Sequence, residues 1–362
     1  MKRLFGKADL LKRYYYKLAI IIALVWIFLD FTNFISLIFT EDPDQYPFTR
    51  EVKYLHWLRL MITSISFLIF SYWLIFRLKN WLRLRPVWVN FLVKSFLLTA
   101  ASIIMECIFY FATYILLYKE SITESFSQFS FFVFDTLWIF HYATGKLMIF
   151  MITLFALEIN EKYSPGVFGD IFFGKYLVPR EENRIIAFID LKNSTPIAEK
   201  LGHKEYFFFI RNFIHHISQA LLQYDGLIYQ YVGDEIVVSW INNRTNTAKS
   251  LKSLRKAQQI MLREAAYYKH RYGVEAAFRT GIHSGLVTVG EIGIVKKDLA
   301  ISGDAMNTAA RIRSMSGELD EDFLASADFV HAVGLPSAVV RSLGFYELKG
   351  KGEKMEIFAL NF

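Results

Sequence analysis

Hydrophobic positions along the chain fall into two regimes, and the change between them lies near residue 157. Before it, four runs are apolar almost all round: "KLAIIIALVWIFLDFTNFISLIFT" (17–40), "LHWLRLMITSISFLIFSYWLIF" (55–76), "SFLLTAASIIMECIFYFATYILLY" (95–118) and "FFVFDTLWIFHYATGKLMIFMITLFAL" (131–157). A helix needs about 20 mostly apolar residues to cross a bilayer, so each run is long enough. A buried helical bundle of a water-soluble protein is the competing reading, but its helices keep a polar face that these runs lack. A four-helix transmembrane domain is therefore expected over residues 1–157.

Residues 158–183 mix charges with glycines and prolines, which predicts a juxtamembrane linker. From residue 184 to 362 the apolar pattern switches between the periods of strands and helices. "RIIAFID" reads as a buried strand, "TPIAEKLG" and "KEYFFFIRNFIHHISQALLQY" as helices, and the second has Phe209, Ile210, Phe213, Ile214, Ile217 and Leu221 along one face. "LIYQYV" and "EIVVSW" predict a hairpin, and residues 248–270 a long helix. "AAFRTGIHSGLVTVGEIG" predicts two strands around a glycine-rich bend, "DAMNTAARIRSM" another helix, and further strands follow. Interleaving of this kind gives an α+β sandwich, with helices packed on a mixed sheet.

Composition and charge fit this division. Of the 362 residues, 54% are hydrophobic and 17% aromatic, an excess concentrated in the four runs. Lys2, Arg3, Lys7, Lys12, Arg13 and Lys17 precede or open the first run, and the gap at 41–53 is mainly acidic. The next gap carries Arg77, Lys79, Arg83, Arg85 and Lys94, and the last is short, with Lys119, Glu120 and Glu124. Basic loops stay cytoplasmic, so both termini are expected inside a multi-pass inner-membrane protein. The first run lacks a small-residue cleavage site, so it is not expected to be a signal peptide. The net charge of +7 fits lipid and topology and needs no nucleic-acid partner, because no basic and aromatic recognition pattern accompanies it. The lone Cys107 allows no intrachain disulfide. Asp30, Arg59, Glu106, Asp135, His141 and Lys146 lie in or near the runs; such groups usually face a bundle interior, though one near a run's end, such as Lys146, can snorkel to the interface.

Three segments of the C-terminal half carry candidate chemistry. Asp190 ends the first strand, and "LKNSTP" follows it with Thr195 placed to cap a helix and Pro196 to begin it. A turn feeding a helix start aims backbone N–H groups at one spot, which suits phosphate, although capped helix starts are also ordinary. Asp234 stands at the hairpin tip; a neighbouring hairpin would bring it near Asp190, and paired carboxylates suit hard divalent cations. A plain turn is the alternative. In "ISGDAMNTAAR", Asn307 and Arg311 share a helix face at i, i+4, which offers an amide and a phosphate-matching fork or merely a solvated surface.

Five stretches, "FIDLKNST", "YQYVGDE", "GIHSGLVTVGEIG", "GDAMNTAAR" and "LKGKGEK", resemble in order and spacing the class III nucleotidyl cyclases, which form cyclic nucleotides from nucleoside triphosphates. The likeness covers roughly residues 184–360, and the four crossings with "FGKYLVPREE" look like membrane-anchored cyclases common in Bacteroidota. The resemblance implies a ferredoxin-like βααββαβ domain and two Mg²⁺ (or Mn²⁺) ions held by Asp190, Asp234 and the Leu191 carbonyl. It implies a triphosphate cradle in Leu191, Lys192, Asn193, Ser194 and Thr195. It further implies that Asn307 orients the ribose, Arg311 stabilises the pentavalent transition state and Lys349 reaches the β- and γ-phosphates. The implied reaction is in-line attack of the substrate's own 3′-hydroxyl on the α-phosphorus with loss of pyrophosphate. The implied assembly is a head-to-tail homodimer in which the aspartates and the Asn/Arg pair of one site come from different chains.

Departures from the family pattern centre on the base. The positions that read it are Gln230 and Ala300, which match neither the adenylyl nor the guanylyl pair. Gln can donate or accept, and Ala offers no hydrogen bond. ATP is the expected substrate; guanylate or pyrimidine cyclisation, or a non-catalytic nucleotide-binding or dimerising module, are the alternatives. Lys192 is expected to face solvent or to add to phosphate binding, His283 to be a strand histidine satisfied by a neighbour, and Glu235 to be solvated.

Overall fold

The computed structural model describes residues 10–40, 50–78, 86–116, 121–135, 138–161, 167–295, 298–333, 339–348, 350–352 and 354–361. The chain divides into two compact units, one spanning Lys12–Lys162 and the other taking in Tyr163–Phe362.

In the first unit the helices are α1 (Leu10–Thr40), α2 (Arg50–Trp73, running into a π-helical turn at Leu74–Leu78), α3 (Val87–Leu116), α4 (Ile122–Asp135) and α5 (Trp138–Glu161). Four segments are long and apolar enough to cross a membrane: Lys12–Thr32, Trp57–Leu78, Val87–Phe111 and Ile139–Glu161. The fourth differs from the apolar run read at 131–157, whose first residues belong to the separate helix α4. Outward side chains such as Ile20, Leu24, Phe28, Ile69 and Phe155 are exposed and apolar. The interior is built on Trp26, Phe67, Leu98 and Phe150, and the Trp26 indole donates to Thr153 at 2.9 Å.

Charge in this unit is paired inside the bundle. Lys146 Nζ lies 2.9 Å from Asp30 Oδ1, with both side chains buried, and Thr63 donates to Asp30 Oδ2 at 3.1 Å. Arg59 Nε donates to Glu106 Oε1 at 2.7 Å. Lys146 therefore does not snorkel, as its place near a run's end allowed, because a carboxylate on α1 meets it at depth. The side chain of Asp135 lies outside the described residues.

The second unit begins with α6 (Val167–Phe172) and then runs β1 (Arg180–Leu191), α7 (Ser194–Gln223), β2 (Leu227–Val232), β3 (Glu235–Ile241), α8 (Arg244–Tyr272), β4 (Phe278–Ile292), β5 (Asp298–Ser302), α9 (Asp304–Ser314), β6 (Phe323–Ser326), α10 (Ala327–Val333), β7 (Val340–Glu347) and β8 (Lys354–Leu360). The sheet order is β2-β3-β1-β4-β6-β8-β7, with β5 on β4; β4 and β6 are parallel and the other pairs antiparallel. This is the expected α+β sandwich. The two helices read at 195–202 and 204–224 form one element, α7, bent at Gly202, where φ is +70°.

Side-chain alternation along β1 sorts the core into two layers. Ile185, Ala187, Ile189 and Leu191 join Phe209, Phe213 and Ile217 of α7 and Leu254, Ala257 and Met261 of α8. Ile186 and Phe188 face the opposite way, with Val237 of β3 and Ala305 and Ala309 of α9.

The glycine-rich stretch of β4 is a correction. Instead of two strands around a bend, residues 278–292 form one continuous strand. Gly281 and Gly285 serve close helix packing: a Cβ at Gly281 would come within 2.2 Å of the Arg313 backbone N, and one at Gly285 within 2.9 Å of the Ala305 Cβ. Glycine at these two places lets α9 lie directly on the sheet.

Replacing Lys146 by Met should leave the Asp30 charge buried without its cation. A loss of about 3–5 kcal/mol is expected, the scale for removing one partner of a buried pair. The double variant Lys146→Met/Asp30→Asn should recover most of it, as read by thermal unfolding of the full chain in detergent.

Candidate functional site

The period of two places Asp190 on the α9 side of the sheet, two residues after Phe188. On the same side stand its cross-strand partner Arg279 and, two residues before Val237, Glu235. Arg313, near the end of α9, reaches both carboxylates. Its Nη1 lies 3.3 Å from Asp190 Oδ2, and its Nη2 donates to Glu235 Oε2. Arg279 Nε donates to the same Asp190 oxygen at 3.1 Å.

Asp234 occupies the β2–β3 turn beside this cluster, after Gly233, whose φ is +62°. Its Oδ2 is buried and has no hydrogen-bond partner. Burial raises the Asp234 pKa above the usual carboxylate range, and the negative charge of Asp190 raises it further, against the opposing effects of its backbone amide, the Ser194 hydroxyl and Arg313. Electrostatic coupling to both aspartates also appears at Tyr206 of α7, whose phenol is raised first by burial and then by Asp234. Asp190, Asp234, Ser194 and Tyr206 thus share one neighbourhood.

Glu235 is not the solvated member of its pair. It is half-buried and tied to Arg313, because strand parity turns it beneath α9. Burial raises its pKa while Arg313 lowers it.

The segment after β1 also departs from expectation in one detail. The cap of α7 is Asn193, in the left-handed region at φ 56°, with no side-chain cap, and Ser194 opens the helix, so Thr195 lies inside the first turn. The first backbone bond is donated by Ile197 to the Asn193 carbonyl at 3.1 Å. The amides of Ser194 and Thr195 precede it and have no acceptor within the helix. The Leu191 side chain is fully buried, and Lys192 Nζ lies 2.8 Å from Asp322 Oδ1, so this lysine is held by an aspartate.

Asn307 and Arg311 lie elsewhere on α9. Ala305, Thr308, Ala309 and Ile312 face the sheet, while Asn307 is exposed. Arg311 and Arg313 are two residues apart, which turns them to different sides of the helix. A Cβ on Gly350 would lie 3.4 Å from Arg311 Nη2, and Lys351 Nζ lies 2.8 Å from Asp304 Oδ2. The β7–β8 loop is thereby docked beside Arg311; Lys349 itself lies outside the described residues. Among the described residues no hydrogen bond or ion pair joins Asn307 or Arg311 to Asp190 or Asp234.

Gln230 is exposed on β2 and pairs with Val237, while Ala300 pairs with Gly290 on the far side of the sheet. Four strand spacings separate β2 from β5, on the order of 19 Å. One chain therefore does not bring these two positions together.

His283 is buried between the two packing glycines of β4, with Nδ1 2.8 Å from Ser326 Oγ, which matches a strand histidine satisfied by a neighbour. Burial lowers its pKa to about 4.

Two carboxylates with a main-chain carbonyl make a hard oxygen donor set that would fit a small divalent cation, and the Asp234 oxygen has no hydrogen-bond partner to compete for it. Among the described residues no group of three or more His, Cys, Asp or Glu side chains forms a metal cluster. Arg279, Glu235 and Arg313 escaped sequence reasoning. Glu235 was accessible through parity with Val237, but the arginines depend on strand register and on the depth at which α9 sits.

The sequence profile described as "Adenylate and Guanylate cyclase catalytic domain" matches residues 178–361. Adenylate cyclase 2 of Rhizobium meliloti (strain 1021) is 30% identical over 209 residues, covering 57% of this chain and 58% of that protein. An adenylate cyclase of Anabaena cylindrica is 25% identical over 178 residues, covering 48% of this chain and 36% of that protein. The chain thus spans less than two thirds of the length of either relative. Among solved structures, the adenylyl cyclase CyaB from P. aeruginosa is similar with a TM-score of 0.47 and 21% identity, covering 51% of this chain and 97% of that one.

Acid should destabilise this unit through His283. Its folded pKa of about 4 lies below the unfolded value near 6.5, so below pH 6.5 the unfolded chain takes up a proton that the folded one refuses. Stability should fall as pH drops from 6.5 towards 4, by up to about 3 kcal/mol from this residue. His283→Gln should flatten that part of the profile in denaturant titrations of the full chain at stepped pH.

Proposed function

The chain belongs to the adenylate and guanylate cyclase catalytic domain family, and from that premise we propose that it is a membrane-anchored adenylate cyclase. The reaction is conversion of ATP to 3′,5′-cyclic AMP and pyrophosphate. The observation that carries this reading is the buried, unpartnered Asp234 oxygen beside Asp190 at the end of β1. Nucleoside triphosphate as substrate class follows from the family; ATP in particular is supported by the naming of both relatives as adenylate cyclases. Gln230, exposed and able to present either face of its amide, equally suits guanine, which keeps GTP as the second reading.

Each residue has a role in this proposal. Asp190 and Asp234, with the Leu191 carbonyl, hold two divalent cations, Mg²⁺ or Mn²⁺. Those ions supply positive charge that acidifies the ribose hydroxyl and neutralises the phosphates. The backbone from Leu191 to Thr195 cradles the triphosphate at the start of α7, where the amides of Ser194 and Thr195 are spare while that of Lys192 is taken by the Ala277 carbonyl. Asn307 orients the ribose, Arg311 stabilises charge on the pentavalent phosphorus, and Lys349 reaches the outer phosphates. Lys192, engaged with Asp322, serves as a wall of the cradle more than as a phosphate ligand. Catalysis by positioning and fixed charge needs no side-chain nucleophile.

A homodimer completes the site. Among the described residues Asn307 and Arg311 have no hydrogen bond or ion pair with Asp190 or Asp234, and Gln230 and Ala300 stand on separate strands, which supports a complement supplied by a second copy. The tip of the β4–β5 arm, with Ile294 and Val295 almost fully exposed, offers apolar surface for such a partner. The four apolar helices would anchor the enzyme in the inner membrane, and the basic flanks of the first two support a cytoplasmic position for both termini.

Asp190→Asn and Asp234→Asn should each abolish cyclic nucleotide formation, and Arg311→Ala should lower kcat by about 10², the scale for losing a preorganised charge-stabilising donor. Full turnover in either aspartate variant, assayed with each nucleoside triphosphate and Mg²⁺ or Mn²⁺, would refute the assignment. Co-expression of Asp234→Asn with Arg311→Ala should restore about one quarter of wild-type activity, since a two-fold dimer of the mixed pair retains one intact site. Absence of any rescue, with mixed dimers recovered by two affinity tags, would exclude a site shared between chains.

A further inference from the structure

Asp190 and Asp234 are not the only carboxylates at the end of β1. Glu235 stands on the same side of the sheet as Asp190, one residue beyond the Ile189–Ile236 pair with which the β1–β3 register ends. Three carboxylates lie near the end of β1 without forming a cluster of ligands, two are wanted for cations, and Arg313 lies between the third and Asp190. We infer that Arg313 is a positioning residue that decides which carboxylate oxygens are offered to a divalent cation. The inference rests on the reading of Asp190 and Asp234 as cation ligands.

The geometry supports a sorting role. Arg313 spends one terminal nitrogen on Glu235 Oε2 and the other on Asp190 Oδ2, with a side chain only one-quarter exposed. Arg279 adds its bond to that same Asp190 oxygen. Both arginines therefore load Oδ2, and Oδ1 stays outside their contacts. Glu235 is withdrawn into an ion pair, while Asp234 Oδ2 keeps no partner at all. Arg313 Nε is itself buried without a hydrogen-bond partner, so the guanidinium is held by the two carboxylates and not by its own full set of donors.

Backbone packing fixes where this guanidinium stands. Gly281 brings the sheet against the Arg313 main chain itself, so the side chain starts from a place that cannot retreat. The fork geometry matters too: two terminal nitrogens in one plane bridge two carboxylates, which a lysine ammonium on a single stem does less well. Without Arg313, Glu235 would be a free carboxylate beside two others. A divalent cation would then gain a third anionic ligand and bind more tightly, in a geometry drawn towards Glu235.

The test measures Mn²⁺ bound to the full-length, nucleotide-free protein in detergent, from the loss of the free-ion electron paramagnetic resonance signal. Arg313→Met should tighten Mn²⁺ binding about tenfold or more, as affinity at oxygen sites follows ligand charge. The same variant should lose cyclase activity. Arg313→Met/Glu235→Gln should return affinity to within about twofold of wild type, because affinity follows ligand charge and the added anionic ligand is gone. A merely structural role for Arg313 predicts weaker binding that Glu235→Gln does not reverse. Unchanged or weaker Mn²⁺ binding in a folded Arg313→Met protein overturns the inference. If that variant does not fold, Arg313→Lys keeps the charge and loses the bridge; it should show a smaller tightening, and wild-type affinity there overturns the inference equally. Asp234→Asn added to Arg313→Met separates the two readings. Abolished binding leaves the cation seat standing, whereas tight binding that survives places the ion away from Asp234 and removes the premise.

Discussion

Strand alternation along β1 is the constraint on which the C-terminal unit depends. Successive residues must face opposite sides of the sheet, so seven buried positions from Ile185 to Leu191 supply two separate cores at once. The odd positions are apolar throughout and fasten α7 and α8. The even positions start apolar and end in Asp190, where the sheet runs out beneath the last turn of α9. A charge is tolerable there because two arginines meet it. One residue earlier or later, the same carboxylate would enter the α7–α8 core, which has no cation to receive it.

Much of this was legible in the sequence because it follows from period and spacing. The hairpin at 227–241 and the helix carrying Asn307 and Arg311 are found where the pattern puts them. The differences share a cause: neighbours in sequence do not reveal what a glycine or a charge meets across the fold. Gly281 and Gly285 look like turn residues, yet they sit mid-strand because a helix needs the space their missing Cβ atoms leave. Glu235 looks like the outer half of a turn, yet parity with Val237 carries it inward to Arg313. Arg279 and Arg313 belong to strand register and helix depth, which no local pattern encodes.

The membrane-crossing candidates show the opposite balance. Their existence follows from length and composition, but what lies inside them does not. Asp30 and Lys146 are 116 residues apart and meet in the bundle, where a charge without its counter-ion would be costly. Arg59 and Glu106 meet in the same way. Such pairs restrict how α1, α2, α3 and α5 pack, since sliding one helix by a turn would separate partners that apolar neighbours cannot replace.

α9 carries two arginines with different duties on one short rod. Arg313 is turned towards the carboxylates of its own sheet, and Arg311 towards the loop at Gly350. Since the rod is pressed on glycine, its two arginines start from one rigid main chain. Any roll that drew Arg313 off Asp190 would swing Arg311 by the same angle, so the two guanidiniums cannot be adjusted independently. Whatever loosens one must re-aim the other, and selection acting on either position is acting on both.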